Sequence, residues 1–196
     1  MKNIAVLVSG GGTNLQSIID AVESGYIDGK INVVISNRED AYGLYRAKKH
    51  NIKAVFENDE NKIIEEIKNH NTDLVILAGF LKILSSKFTR TFENKIINIH
   101  PSLIPAFCGK GYYGLKVHEG AIDYGVKVSG ATVHFVDENA DTGPIIAQET
   151  VPVLPTDTAE ELQKRVLVIE HKLLKEVVKK YCEDKIRVEK RRVFID

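Results

Sequence analysis

The chain has 196 residues, with 27 Lys+Arg against 27 Asp+Glu and a formal net charge of zero. That length suits one domain with a real core, and the charge balance excludes a global basic field drawing the protein to nucleic acid or acidic lipid. Two isolated cysteines, Cys108 and Cys182, make neither a disulfide framework nor a zinc site, and the most apolar stretch, Leu74–Leu81, is too short to span a membrane. Met1-Lys2-Asn3-Ile4 runs at once into a strand pattern, so the expectation is a cytoplasmic protein without a signal or transit peptide.

In chain order, Ile4–Val8 is a continuous apolar run of the kind expected for a strand covered on both faces. Ser9-Gly10-Gly11-Gly12-Thr13-Asn14 breaks it, and Leu15, Ile18, Ile19 and Val22 follow at helical spacing. The pattern repeats: strand Ile31–Ile35, helix Ala41–His50, short strand Ala54–Phe56, helix Glu60–His70, buried strand Leu74–Ala78, helix Ser85–Phe92 and strand Ile96–Ile99. This alternation predicts an α/β fold with a mostly parallel sheet and helices on both faces.

After Pro101 the rhythm changes. Pro105–Gly114 is a glycine-rich loop carrying Phe107, Tyr112 and Tyr113, its Phe107–Gly114 part reads as a mobile flap, and a short helix, Leu115–Tyr124, follows. Val126–Val136 and Ile145–Val153, joined through Asp137–Gly143, read as antiparallel strands added to the sheet. Thr158 and Glu161 form a capping box before a long amphipathic helix to about Tyr181. Ile186–Ile195 reads as a final hairpin packed on the outside, and the basic clusters Lys179-Lys180 and Lys190-Arg191-Arg192 read as solvated faces.

Three features carry chemistry. A glycine-rich turn feeding a helix N-terminus suits an anion, since free backbone N–H groups and the helix dipole both favour negative charge there. Gly10–Gly12 permit close approach, and Thr13 and Asn14 either donate to a phosphate or cap the helix. No Gly-Lys-Ser/Thr follows, and Leu15 replaces the third glycine of a dinucleotide fingerprint, so a monophosphate fits best. Asn98 and His100 lie two apart at the end of a strand, hence on one face, and offer an amide donor beside an imidazole. Such a pair suits negative charge developing on a carbonyl oxygen. Asp141, beside Gly143, is either a turn residue or the carboxylate that holds His100 protonated. The glycine loop, the Ala78-Gly79-Phe80 exit and the Asn98–His100 exit belong on the carboxyl rim of the sheet, where ligands of parallel sheets bind.

Other groupings are weaker. Ser102 lacks the surroundings of a nucleophile elbow, and no His or Cys spacing predicts a metal site. His134 is either a supporting group behind the site or a core histidine. His50, His70 and His118 stand in polar helical contexts and read as solvent-facing, and Glu170 alone reads as facing water.

Taken together, Ser9–Asn14, Ser36-Asn37-Arg38, Leu77–Leu84, Asn98–Pro105, Gly130–Val136 and Asp141–Ile146 resemble the phosphoribosylglycinamide formyltransferases over nearly the whole chain. The Asn-x-His…Asp set is shared with a wider group that formylates methionyl-tRNA or sugars or hydrolyses formyl-folate. The N-terminal loop differs from that of the tRNA formylases, and the chain has no length for the extra domains of those enzymes or of the hydrolases. The resemblance implies one Rossmann-like domain over 1–196, with a phosphate-binding half (1–100) and a folate and catalytic half (101–196). It implies a ribose 5-phosphate on Gly12, Thr13 and Asn14, and the glycinamide against Glu170. The pterin of a 10-formyltetrahydrofolate co-substrate would lie against Leu81, Lys82, Ile83 and Leu84 and the loop before Asp141. Catalysis by Asn98, His100 and Asp141 without a metal follows, in a monomer or homodimer whose partners are small molecules. Lys82 stands where relatives often carry arginine, and no arginine near residue 60 matches the one some relatives use for the folate tail. A formyl-folate hydrolase and a non-catalytic phosphoribosyl sensor are the rival readings.

Overall fold

The computed structural model describes residues 1–196. Its elements are β1 (Lys2–Val8), α1 (Thr13–Glu23), β2 (Gly29–Ser36), α2 (Tyr42–Lys49), β3 (Lys53–Phe56), α3 (Glu60–Asn69), β4 (Leu74–Leu77), α4 (Ser86–Thr91) and β5 (Ile96–His100). Then come α5 (Leu115–Tyr124), β6 (Val128–Phe135), β7 (Ile145–Pro152), α6 (Ala159–Cys182), β8 (Ile186–Glu189) and β9 (Arg192–Ile195). One seven-stranded sheet runs β3-β2-β1-β4-β5-β6-β7, and β8 and β9 form a separate hairpin. Strands β1 to β5 pair in parallel, while β6 is antiparallel to β5 and β7 to β6.

Alternation along β1 builds the two cores. Ile4, Val6 and Val8 face a core shared with α1, α2, α5 and α6, whereas Ala5 and Leu7 face a second core formed with α3 and α4. A strand covered on both faces has no room for a polar residue, which is why the buried part of β1, Ile4–Val8, and all of β4 are apolar. The capping box of α6 is present, with the Thr158 side chain accepting from Glu161 N–H and the Glu161 carboxylate from Thr158 N–H. The expected fold class, strand order of types and outer hairpin all stand. No helix is long and apolar enough to cross a membrane.

The strand order reverses direction at β1 and β4: the chain leaves β1 towards β2 and β3, and leaves β4 towards β5. Loops at that switch point diverge and open a crevice. Ser9 bridges its floor, its N–H donating to Gly79 O (3.0 Å) and its hydroxyl accepting from Leu81 N–H (2.9 Å) while donating to Asn37 Oδ1 (2.6 Å).

Candidate active site

A cleft of about 650 Å³ lies at this rim. Thr13 and Asn14 stand at its walls together with Leu81, Lys82, Ile83, Leu84, Asn98, His100, Asp141 and Glu170. Gly12 adjoins them as the residue preceding α1. Its φ of 70° is left-handed, a conformation that costs other residues and not glycine. Thr13 opens α1 rather than capping it, and no side chain caps this helix. The first-turn N–H groups are therefore left for an anion.

At the other end, β5 carries Asn98 and His100 on one face. Pairing with β6 sets Asn98 opposite His134. His134 Nδ1 lies 2.7 Å from Phe135 O, and because a carbonyl only accepts, that nitrogen carries the proton. With its proton on Nδ1, the ring accepts at Nε2 from Asn98 Nδ2 (3.1 Å), which fixes the amide of Asn98. His100 Nε2 donates to Phe107 O at 2.9 Å. Asp141 spans both rings, with Oδ2 3.6 Å from His100 Nδ1 and Oδ1 3.6 Å from His134 Nε2. Its Oδ2 also accepts from Gly109 N–H at 2.8 Å.

Asp141 is held by its own turn. Its φ is 57°, uncommon for a residue with a side chain. Gly143 makes the turn possible, since a Cβ there would sit 1.8 Å from Phe135 O. Arg191 Nη2 donates to Thr142 O (2.7 Å), tying this loop to the β8–β9 hairpin.

Residues 2–178 match the family described as Formyl transferase. The chain belongs to the formyl transferase family. It is 46% identical over 194 residues to a chloroplastic phosphoribosylglycinamide formyltransferase of Vigna unguiculata, covering 94% of this chain and 62% of that protein. It therefore spans less than two thirds of that relative's length. It is 45% identical over 205 residues to the Haemophilus influenzae phosphoribosylglycinamide formyltransferase, covering 100% of this chain and 94% of the relative. Among solved structures, glycinamide ribonucleotide transformylase 1 from Symbiobacterium toebii superposes with a TM-score of 0.93 at 42% identity, covering 100% of this chain and 94% of that one.

Four readings of this formyl transferase's residues need correction. His100 was expected to be held protonated by Asp141. Burial, leaving it 5% exposed, instead pushes its pKa below the ordinary histidine value, against the opposing pull of Asp141 and the Phe107 carbonyl. The 3.6 Å gap to Asp141 agrees, because a neutral ring protonated at Nε2 has no Nδ1 proton to give. Burial raises the pKa of Asp141, but His134, His100 and the Gly109 N–H together hold it below the usual carboxylate value. Glu170 does not face water. It is 7% exposed, accepts from Asn14 Nδ2 at 2.9 Å, and burial raises its pKa against that hydrogen bond.

His118, expected in solvent, is 1% exposed with Nδ1 unpaired. Burial, helped by repulsion from His100, pushes its pKa down to about 4. Its helical neighbours Leu115, Ala121 and Ile122, at three and four residues' distance, were the signal that it lies on the apolar stripe. His50 and His70 are half-buried, not free in solvent: His50 Nδ1 pairs with Glu23 (2.7 Å) and His70 Nδ1 donates to Glu66 O (2.8 Å).

Of the 81–84 segment, Leu81 and Ile83 are exposed in the cleft, whereas Leu84 packs into the α3–α4 core. Lys82 Nζ is drawn to Asn58 O at 2.6 Å. Gln163, Leu167 and Glu170, on one face of α6, complete the wall. The contacts of Phe107 O and Gly109 N–H are backbone contacts from the flap, and no side-chain pattern announces them.

Proposed function

We propose that this chain transfers the formyl group of 10-formyltetrahydrofolate to the amine of 5-phosphoribosylglycinamide, a step of purine synthesis. The observation that carries the reading is the cleft itself. An uncapped helix N-terminus, a buried carboxyl, an apolar wall and the Asn98–His100–Asp141 group share one cavity of about 650 Å³. That combination serves a phosphorylated amine and a flat aromatic formyl donor at once. The relatives named above carry the names phosphoribosylglycinamide formyltransferase and glycinamide ribonucleotide transformylase, which agree with this reading.

The roles follow from the chemistry. Gly12, Thr13 and Asn14 hold the phosphate, with Glu170 beside the glycinamide. The apolar Leu81 and Ile83, with Lys82 and Leu84, hold the pterin against the loop before Asp141. The amine attacks the formyl carbon, and the negative charge that develops on the formyl oxygen meets the Asn98 amide and the Nε2–H of His100. Charge on that oxygen favours protonated His100, offsetting its burial, and Asp141 then stabilises the imidazolium through Nδ1–H. As the carbonyl re-forms and the bond to the folate nitrogen breaks, the imidazolium gives that nitrogen a proton, and the proton shed by the attacking amine restores the one His100 has given. His134 keeps the Asn98 amide turned for this task. The 1–100 half supplies the phosphate site, and the 101–196 half supplies the flap, Asp141 and Glu170.

Tracing a carbon-13 formyl label tests the reading against hydrolysis and against mere binding. Label recovered on the glycinamide nitrogen, and only when the amine is present, is the expected result. Label released as formate at an equal rate without the amine means a hydrolase. Binding of both ligands with no label transferred means a sensor.

A further inference from the structure

The glycine loop is not free to choose its shape. Gly10 O accepts from Gly43 N–H at 3.0 Å, and Gly11 O accepts from Arg46 Nε at 2.8 Å. Gly12 O accepts from Gln16 N–H at 2.9 Å. Three successive carbonyls are thus engaged by α1 or α2. The same guanidinium reaches Gln16 Oε1 through Nη1 (3.2 Å) and lies 5.0 Å over the Tyr42 ring. The approach of α2 is as close as the backbone allows: a Cβ on Gly12 would meet Gly43 Cα at 2.8 Å, and one on Gly43 would meet Val8 Cγ2 at 2.8 Å.

We propose that Arg46, outside the cleft wall, is a positioning residue for the phosphate site: its fork to Gly11 O and Gln16 Oε1 turns the loop carbonyls away and the loop amides towards the anion. This rests on the proposed function in assigning a phosphate to Gly12–Asn14. The physical basis is that a mobile loop presents carbonyls as readily as amides, and a carbonyl facing a phosphate repels it. A planar guanidinium with several fixed donors can hold a backbone oxygen and a side-chain amide at once, which an ammonium cannot do in the same geometry.

The test uses the full-length protein with Arg46→Met and Arg46→Lys. Three quantities are measured: calorimetric affinity for inorganic phosphate, steady-state kinetics with both substrates, and amide hydrogen exchange of residues 10–15. Arg46→Met should weaken phosphate about tenfold and raise KM for the phosphorylated amine by the same factor, leaving kcat and the folate KM within about twofold. Arg46→Lys keeps the charge and the stem, and should retain a deficit of about threefold. Exchange of the loop amides should quicken in both variants.

Salt separates positioning from distant attraction, because above about 0.3 M the Debye length is only a few ångströms. A deficit relative to the unmutated protein that persists there supports positioning. Wild-type affinity in Arg46→Lys, or a deficit that vanishes in high salt, overturns it. An unmutated protein that binds no phosphate overturns both this inference and the reading it rests on. One that binds phosphate and transfers formyl, with Arg46→Met unchanged, overturns this inference alone.

Discussion

The two ends of the cleft are built on opposite plans. At the glycine loop the carbonyls are already engaged, no side chain caps α1, and Gly11 has open space around it. The end proposed to hold the phosphate has its amides oriented before any ligand arrives. At the β5 end the protein occupies its own chemistry: the flap gives Phe107 O to His100 Nε2 and Gly109 N–H to Asp141, and His100, His118 and His134 are buried together. The difference teaches that binding and catalysis draw on different physics here. On the proposed reading, one end stores oriented dipoles, and the other stores a proton donor that gains its charge as the oxyanion forms.

Separate plans imply separable effects. The largest is expected from Asn98→Ala and Asp141→Asn. Loss of one oxyanion donor costs about 2.7–4 kcal/mol in the barrier, so kcat should fall about a hundredfold or more. Calorimetric phosphate affinity should stay within about twofold in both variants. A parallel fall in that affinity would break the comparison.

Next is Gly143→Ala, whose Cβ would lie 1.8 Å from Phe135 O in the turn that sets Asp141. Destabilisation of about 2–3 kcal/mol is expected in urea unfolding, together with lost turnover.

The pH dependence of stability sharpens the picture of the buried end. A histidine whose folded pKa lies below its unfolded value binds its proton more readily when unfolded. Its neutral form supports the fold above about pH 6.5, and that support is lost as pH falls towards the folded pKa. For His118 that window runs from 6.5 down to about 4, and His100 is shifted in the same direction. Unfolding at pH 7 and pH 4.5 should differ by on the order of 2 kcal/mol from His118 alone, and His118→Leu should flatten the profile by that amount. The smallest effect belongs to Gly11→Ala, where a Cβ meets nothing within 4 Å. Stability should change by about 0.5 kcal/mol or less, so a large loss would show that the loop is not preset as described.

The same division governs what was legible in the sequence. Parallel strands covered on both faces are apolar runs, so Ile4–Val8 and Leu74–Leu77 announced themselves, as did the glycine turn between strand and helix. Asn98 and His100 were legible through period-two spacing. The buried end was not, because burial of a polar group depends on which element folds over it. Glu170 and His118 are polar residues on amphipathic helices; the apolar residues three and four positions from His118 hint at its burial, but the packing of α5 and α6 on the sheet is what removes both from water. The pKa of His100 was misread for the same reason: the sequence shows its carboxylate partner but not the loss of solvent that outweighs it. Phe107 O and Gly109 N–H carry no side-chain signature at all.

The claim that the chemistry end is masked, and charged only with substrates, is tested most directly by titrating His100 by nitrogen-15 NMR. The free protein should titrate below 6.5 with its proton on Nε2. A complex with a phosphorylated glycinamide and a non-transferable folate should titrate higher, as Nε2 exchanges the Phe107 carbonyl for the formyl oxygen. A free-protein value above 6.5, unchanged by the two ligands, would contradict the account.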